Sequence, residues 1–230
     1  MKKAIMLFGP PGAGKGTQAN LLAAKFGMIH FDTGRYLEQL VHDPTLQSDP
    51  EIGKARKIFD DGILFDPAFV LKIITRKARE ISGSGFGIVF SGSPRTVYEA
   101  FGDADHQGLI ALLESEYGRE NVLPVFLDID PKESIARNRN RKICSVCGTA
   151  LLYDDVTTHK TCPLCGGELR TRTLDNPAVG ETRIKEYRER TEPIFALLEK
   201  QGYALTRING HPLPYQVFAE IKEKLHLGLA

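Results

Sequence analysis

A glycine-rich loop near the N-terminus constrains the fold of this sequence more than any other stretch. The apolar run 2–8 (KKAIMLF) leads straight into the loop 9–17 (GPPGAGKGT), and residues 18–26 then show the pattern of a helix. Glycine allows backbone angles and close approaches that a Cβ atom would prevent, so the N–H groups of such a loop can point at one anion. The start of the following helix adds a positive partial charge. The loop therefore predicts a phosphate-binding turn between a strand and a helix.

Two side chains in this loop have the right chemistry for a bound polyphosphate. Lys15 supplies a mobile positive charge for the outer phosphates, and Thr17 supplies a hydroxyl for Mg²⁺. The usual pattern places Ser or Thr directly after the lysine, whereas here Gly16 intervenes. The alternative is a strand, turn and helix that bind nothing. Three spaced glycines followed by Lys and Thr argue against that alternative.

Apolar runs alternate with helical patterns along the rest of the chain. The other candidate strands are residues 28–31, 86–90, 121–129 and 202–208. One intervening helix is expected to begin at Pro67 with Asp66 as its N-cap. This alternation favours a parallel sheet with helices on both faces. Ligands on such sheets bind beyond the carboxyl ends of the strands, so the loop, Thr33 and Arg95 are expected along one edge.

The composition excludes several classes of protein. A chain of 230 residues, 42% hydrophobic and 26% charged, is typical of one globular α/β domain with an insertion. The net charge of +1 gives no general attraction to nucleic acids or acidic membranes. No stretch reaches the roughly 20 apolar residues that span a bilayer, and the first strand stands where a signal peptide would be. We therefore expect a cytoplasmic protein that binds neither membranes nor nucleic acids.

The cysteines form two CxxC pairs with 14 residues between them: Cys144, Cys147, Cys162 and Cys165. Gly148 and Gly166 follow the second cysteine of each pair and allow the tight turn that directs backbone N–H groups at sulfur. Four thiolates make a closed tetrahedral site, which predicts a structural Zn²⁺. Disulfide bonds are the alternative, although the clustering favours a metal.

Residues 144–170 interrupt the α/β pattern and are expected to form an inserted flap that the metal holds folded. A zinc ribbon that binds nucleic acid is the competing hypothesis. Tyr153 is the one aromatic residue of the segment, basic residues are few, and Asp154, Asp155 and Glu168 are acidic. Single-strand binders need aromatic platforms and a basic groove, so we favour a flap.

Arginines flank the flap on both sides. Arg137 and Arg141 are four residues apart and are expected to share one helix face, while Arg172 and Arg183 follow the flap. Closing the flap would bring these guanidinium groups onto phosphates and expel water. The alternative is a solvated basic face, which we prefer for Arg139, Arg188 and Arg190.

These motifs together resemble the zinc-bearing bacterial adenylate kinases, which are nucleoside monophosphate kinases. The resemblance rests on GPPGAGKGTQA, the D-T-G turn at 32–34, G-x-P-R-T at 92–96, the flanking arginines, the four cysteines and the N-G turn at 209–210. It implies a P-loop NTPase-type fold: a five-stranded parallel sheet with helices on both faces, an inserted four-cysteine zinc lid and a helical monophosphate-binding segment. The expected division is a core of residues 1–143 and 171–230, a monophosphate-binding segment of residues 32–68 within it, and a lid of residues 144–170.

The resemblance also implies a reaction and a set of site residues. The implied reaction is reversible transfer of the ATP γ-phosphate to AMP or another nucleoside monophosphate. The implied cofactors are Mg²⁺ bound with ATP and a structural Zn²⁺ in the lid. The enzyme is expected to be a monomer. The implied ATP-binding residues are Gly12, Ala13, Gly14, Lys15, Gly16, Thr17, Arg137 and Arg141. The implied monophosphate-binding residues are Thr33, Glu38, Phe65, Gly92, Arg95, Glu99, Arg172 and Arg183. The implied catalytic residues are Lys15, Arg95, Arg137, Arg172 and Arg183.

The sequence departs from the family pattern mainly on the monophosphate side. Glu38 stands where the family has an arginine for the AMP phosphate, although Arg35 is close enough in sequence to be a substitute. Ser91 and Ser93 replace the Asp and Phe of the strand-end motif, and Glu99 replaces the glutamine that contacts adenine. Leu174 replaces the first of two aspartates, while Asp175 retains the second. A carboxylate accepts hydrogen bonds but does not donate them, so Glu99 is expected to change base preference.

The ATP side, in contrast, keeps nearly the whole family pattern. ATP binding is therefore expected to survive, with either an acceptor other than AMP or slow turnover. The alternative function is a catalytically weakened relative that binds ATP and acts as a nucleotide sensor or chaperone.

Overall fold

Five parallel strands form the central sheet of the computed structural model, which describes residues 2–46, 48–151, 159–171, 175 and 177–228. The strands are β1 (Ala4–Phe8), β2 (Ile29–Phe31), β3 (Ile88–Phe90), β4 (Val122–Asp128) and β8 (Thr206–Asn209). They lie in the order β2–β3–β1–β4–β8, and every pair is parallel. The predicted sheet is confirmed, and its last strand is shorter and begins later than the apolar run 202–208 suggested.

Helices connect these strands on both faces of the sheet. The α-helices of the described residues are α1 (Lys15–Phe26), α2 (Thr33–Val41), α3 (Pro50–Asp60), α4 (Pro67–Gly83), α5 (Val97–Phe101), α6 (Leu109–Tyr117), α7 (Pro131–Asn140), α8 (Pro177–Glu186), α9 (Pro193–Lys200) and α10 (Pro214–Lys224). Short 3₁₀ turns cover Pro44–Leu46 and Arg119–Asn121, and a π-helical turn covers Tyr187–Thr191.

Aspartate caps fix the start of three helices that follow the sheet or a turn. The side chains of Asp32, Asp66 and Asp130 accept hydrogen bonds from backbone N–H groups in the first turns of α2, α4 and α7. These bonds satisfy N–H groups that have no partner within the helix. The predicted cap at Asp66 and helix start at Pro67 are confirmed.

The core has two layers because β1 alternates between the two faces of the sheet. Ala4, Met6 and Phe8 pack in the cluster that contains α4, α6 and α9. Ile5 and Leu7 pack in the cluster that contains α1 and α10. All five side chains are almost fully buried, so both layers are anchored on the strand that leads into the loop.

A second, three-stranded antiparallel sheet lies between α7 and α8 in the chain. Its strands are β5 (Lys142–Cys144), β6 (Ala150–Leu151) and β7 (Leu169–Arg170), in the order β6–β5–β7. We call the described part of this insertion, which carries the four cysteines, the inserted unit. Within the described ranges, no helix combines the length and apolar character needed to cross a membrane.

Candidate active site

The loop between β1 and α1 has the geometry of an anion cradle. Gly12 and Gly14 have φ of 86°, a left-handed conformation that favours glycine. A Cβ atom on Gly12 would lie 2.7 Å from the carbonyl oxygen of Ser134, so the loop packs directly against α7. Gly16 has open space instead, so nothing in its surroundings requires a glycine there.

Helix α7 supports the loop through two buried polar side chains. The Ser134 hydroxyl donates to the carbonyl oxygen of Pro11, and the Asn138 amide donates to the carbonyl oxygen of Ser134 at 3.0 Å. Sequence reasoning missed both residues. Their only signal is the i, i+4 spacing of two small polar residues on a highly charged helix.

Lys15 is the first residue of α1, and its ammonium group contacts the backbone of the loop. The Nζ atom donates to the carbonyl oxygens of Gly9 at 2.7 Å and Pro10 at 2.9 Å. These bonds fold the side chain back along the loop. In the presence of phosphate oxygens, the same three N–H donors could turn to the ligand.

Three arginines from distant parts of the chain act on Lys15. Burial, followed by repulsion from Arg95, Arg183 and Arg141, holds the Lys15 pKa well below its usual value, while Asp32 opposes the shift. A site that gathers this much positive charge favours a polyanionic ligand. Arg95, Arg141 and Arg183 therefore all lie close enough to Lys15 for their charges to act on it.

Asp175 organises two of these arginines. Its carboxylate accepts from Arg141 Nε at 2.8 Å and from a second Arg141 nitrogen at 2.5 Å, and it lies 3.5 Å from an Arg183 nitrogen. The Asp175 side chain is fully buried, and both guanidinium groups are mostly buried. A buried carboxylate shared by two guanidinium groups fixes their positions and leaves the group with a net positive charge.

Arg137 and Arg141 do not share a helix face, and that prediction is wrong. Helix α7 ends at Asn140, and Arg141 has an extended backbone with ψ of 131° because the chain enters β5 at the next residue. The guanidinium group of Arg137 instead donates to the carbonyl oxygens of Gly210 and His211, both at 2.9 Å, and forms an ion pair with Glu133. Arg137 therefore ties α7 to the turn after β8.

The adjacent ends of β2 and β3 carry a hydrogen-bonded chain that sequence reasoning missed. His30 Nδ1 lies 2.7 Å from Asn20 Oδ1, and His30 Nε2 lies 2.7 Å from Ser91 Oγ. Burial lowers the His30 pKa despite the opposing effect of Asp32, and Arg35 lowers it further. A neutral ring with its proton on Nδ1 satisfies Asn20 and lets Nε2 accept from Ser91, so the lone pairs of Ser91 face away from His30.

The predicted monophosphate residues Thr33, Gly92 and Arg95 lie together at these strand ends. A Cβ atom on Gly92 would lie 3.3 Å from an Arg95 guanidinium nitrogen and 3.5 Å from the Thr33 Cβ atom. The Thr33 hydroxyl is buried and has no hydrogen-bond partner within the described part of the chain. Beside them lies a cleft lined by Lys15, Ser91, Ser93, Arg95, Arg183 and Tyr187.

Two other predicted residues have structural partners. Phe65 is buried, with its ring centroid 6.1 Å from that of Phe59 and 6.2 Å from that of Phe69, between α3 and α4. The Glu99 carboxylate accepts from the Arg95 backbone N–H at 2.8 Å and from the Thr96 hydroxyl at 3.2 Å. Burial raises the Glu99 pKa to about 7 against these hydrogen bonds. Glu99 therefore holds the turn that presents Arg95.

Glu38 faces the inserted unit. Its carboxylate lies 3.7 Å from a guanidinium nitrogen of Arg170 on β7. The predicted residues Arg172 and Leu174 lie outside the described residues, as do Tyr153, Asp154 and Asp155.

The four cysteines converge at one end of the inserted unit. All four Sγ atoms lie within 4.8 Å of one another, with Cys144 and Cys165 at 3.4 Å and Cys147 and Cys162 at 3.7 Å. A tetrahedral zinc thiolate site has S–S separations of about 3.8 Å. All four are free thiols, and the backbone N–H groups of Val146 and Cys147 point at the Cys144 sulfur. The donor set fits Zn²⁺, and the predicted clustering is confirmed.

Known proteins are similar in sequence to this chain over most of its length. The family described as "Adenylate kinase" matches residues 7–203. An adenylate kinase of Syntrophobacter fumaroxidans is 33% identical over 208 residues, which cover 90% of this chain and 92% of that protein. An adenylate kinase of Methanothrix thermoacetophila is 32% identical, and one of Bacillus licheniformis is 30% identical. Each of these two alignments covers 96% of this chain and 97% of the relative.

Proposed function

The chain belongs to the adenylate kinase family of phosphotransferases, and we propose that it transfers the γ-phosphate of ATP reversibly to a nucleoside monophosphate. AMP is the first acceptor to test, with the reaction ATP + AMP = 2 ADP. The observation that carries this proposal is the convergence of Arg95, Arg141 and Arg183 on Lys15 beside the loop. Phosphoryl transfer needs such a concentration of fixed positive charge around the migrating group.

In this proposal the chain acts by positioning and by charge. The loop N–H groups and Lys15 hold the donor phosphates, while Arg141 and Arg183 stabilise charge on the transferred group. Arg95 holds the acceptor phosphate at the end of β3. No general base is required, because an ionised acceptor phosphate is already a nucleophile. Binding of the polyphosphate would also offset the repulsion that lowers the Lys15 pKa.

The residues near the loop fit Mg²⁺, which the proposed reaction requires with ATP. Thr17 offers a hydroxyl in the first turn of α1, and Asp32 is the carboxylate whose charge acts on Lys15. Hydroxyl, carboxylate and phosphate oxygens are the ligands that Mg²⁺ prefers, with water in its remaining positions. When bound, the ion would neutralise charge on the outer phosphates.

The acceptor side is supported by buried hydroxyl groups. Thr33, Ser93 and Tyr187 each have a buried hydroxyl oxygen with no partner among the atoms of the described residues. An unsatisfied buried hydroxyl is costly, so a ligand that bonds to these groups gains affinity. We propose that Thr33, Gly92, Arg95 and Arg183 contact the acceptor with these hydroxyls, and that Glu38, Phe65, Glu99 and Arg172 complete its surroundings.

We further propose that the inserted unit is a lid stabilised by Zn²⁺. The lid would comprise residues 144–170, and the core would comprise residues 1–143 and 171–230. The monophosphate-binding segment, residues 32–68, would lie within the core. Removing the metal with a chelator should lower the melting temperature while the main domain stays folded. Native mass spectrometry should find one zinc per chain, and disulfide-bonded protein without zinc would contradict the proposal. We also propose that the enzyme is monomeric and cytoplasmic.

A coupled assay across AMP, GMP, CMP, UMP and their deoxy forms tests the function. We expect turnover with at least one of them. Tight ATP binding without turnover of any acceptor would select the alternative, a nucleotide sensor or chaperone. A salt-dependent gel shift with single-stranded nucleic acid would instead favour the ribbon hypothesis.

A further inference from the structure

Helix α2 carries two side chains of opposite charge that both contact the inserted unit. Arg35 and Glu38 are three residues apart, so they lie on the same face of α2. The Glu38 carboxylate forms an ion pair with Arg170 at 3.7 Å. Only 14% of the Glu38 side chain is exposed, whereas half of the Arg170 side chain is exposed. The pair therefore joins α2 to a strand of the inserted unit, 132 residues further along the chain.

Arg35 makes the second contact, at the first cysteine pair. A Cβ atom on Gly148 would lie 2.6 Å from a guanidinium nitrogen of Arg35. Gly148 has φ of 72°, and its N–H group donates to the carbonyl oxygen of Cys144 at 3.1 Å. The Arg35 guanidinium group therefore occupies the space that a side chain at residue 148 would fill. Contacts on both α2 side chains make this face an interface within the chain.

We propose that the Glu38–Arg170 ion pair is a latch that holds the inserted unit against α2 before any nucleotide binds. Glu38 is then a positioning residue for closure. The effect on turnover rests on the proposed kinase function, whereas the latch itself is a property of the free chain. The inserted unit would then close against α2 without the attraction of bound phosphates. Opening for product release would have to break the ion pair.

The free protein, labelled for single-molecule energy transfer, tests the latch. Dyes attached through unnatural amino acids at Lys57 on α3 and Lys160 in the inserted unit spare the four cysteines, and both positions are exposed. Without nucleotide we expect closed molecules to predominate. Because half-exposed ion pairs are weak, E38Q and R170Q should each lower the closed-to-open ratio by about 2- to 5-fold. In the double variant E38Q/R170Q, the closed-to-open ratio should fall no further than in either single variant. Raising the salt concentration should lower this ratio in the wild-type protein but not in the variants that lack the ion pair.

A charge swap and a distant ion pair provide the controls. The double variant E38R/R170E should recover the wild-type ratio, while E38R alone should lower it further than E38Q. Glu199 lies 3.9 Å from Arg207 at an exposed position outside the inserted unit, and E199Q should leave the ratio unchanged. Unchanged ratios in E38Q and R170Q, or additive losses in their double variant, would overturn the latch. Those results would leave the kinase proposal standing, and absence of turnover would leave the latch standing.

Discussion

The proposed donor and acceptor sides of the cleft hold their charged groups in different ways. On the donor side, Arg141 is held by the buried carboxylate of Asp175, which it shares with Arg183, and α7 braces the loop through Ser134. On the acceptor side, Glu38 pairs with Arg170 on a separate sheet, and the Thr33 hydroxyl has no partner among the described atoms.

This difference indicates which side can change without loss of the fold. Donor-side groups are bound to buried partners, so altering one leaves another buried charge unpaired. Glu38 depends on a half-exposed ion pair, and Thr33 and Ser93 carry hydroxyls without a partner among the described atoms, so replacing these groups costs less stability. The departures at Glu38 and Ser93 fall on groups of this kind, whereas Glu99 and Ser91 have hydrogen-bonded partners within the fold.

Lys15 provides the largest expected effect and tests the donor side. K15M removes the ammonium group on whose charge three arginines act, and we expect kcat to fall by about 10³-fold. K25M, at an exposed lysine near the end of the same helix, should change kcat little. A K15M rate close to the wild-type rate in the coupled assay would show that the loop lysine takes no part in the reaction.

Asp175 tests whether donor-side charges are held by the fold. D175N leaves two mostly buried guanidinium groups without their carboxylate, and the free energy of unfolding in urea should fall by about 3 kcal/mol. Saturating ATP should recover part of this loss, because phosphates would replace the missing charge. D105N, at an exposed loop residue, is the control. Equal losses in both variants would show that Asp175 does not organise the arginines.

Glu99 tests the acceptor side through pH. Its folded pKa of about 7 is higher than in the unfolded chain, so its stabilising contribution is full at low pH and is lost as pH rises through 7. The free energy of unfolding of E99Q, relative to wild type, should therefore rise by about 2 kcal/mol between pH 5.5 and 8.5. E223Q, at an exposed residue of α10, is the matched control. A pH-independent difference for E99Q would mean that Glu99 is not held in its protonated form.

Glu38 gives the smallest expected effect. E38R places a cation on the proposed acceptor side, and kcat/KM for the monophosphate should rise about 10-fold while the KM for ATP stays unchanged. E38Q breaks the same ion pair without adding a cation, and serves as the matched control. If E38Q raises kcat/KM as much as E38R, the gain comes from release of the inserted unit rather than from a phosphate contact.

Features set by local spacing could be predicted from the sequence. The loop, the strands, the Asp66 cap and the four-cysteine cluster each follow from a short pattern, and the structure contains them all. The end of α7 escaped prediction because β5 begins at Lys142 and forces Arg141 out of the helix. Helical spacing alone gave no sign of that turn.

Contacts between distant residues escaped prediction for a different reason. Arg141 pairs with a carboxylate 34 residues away, and His30 bonds to a hydroxyl 61 residues away. Which partner such a side chain meets depends on how helices and strands pack, and no local period encodes it. The resemblance implied phosphate-binding roles for the arginines, but it could not predict which residues they contact.

Calorimetric titration of the wild-type protein compares the two sides most directly. With Mg²⁺ present, ATP and AMP are titrated separately and the two dissociation constants are compared. A secured donor side and an altered acceptor side predict that ATP binds at least about 10-fold more tightly than AMP. AMP binding as tight as ATP binding, or tighter, would contradict the contrast between the two sides.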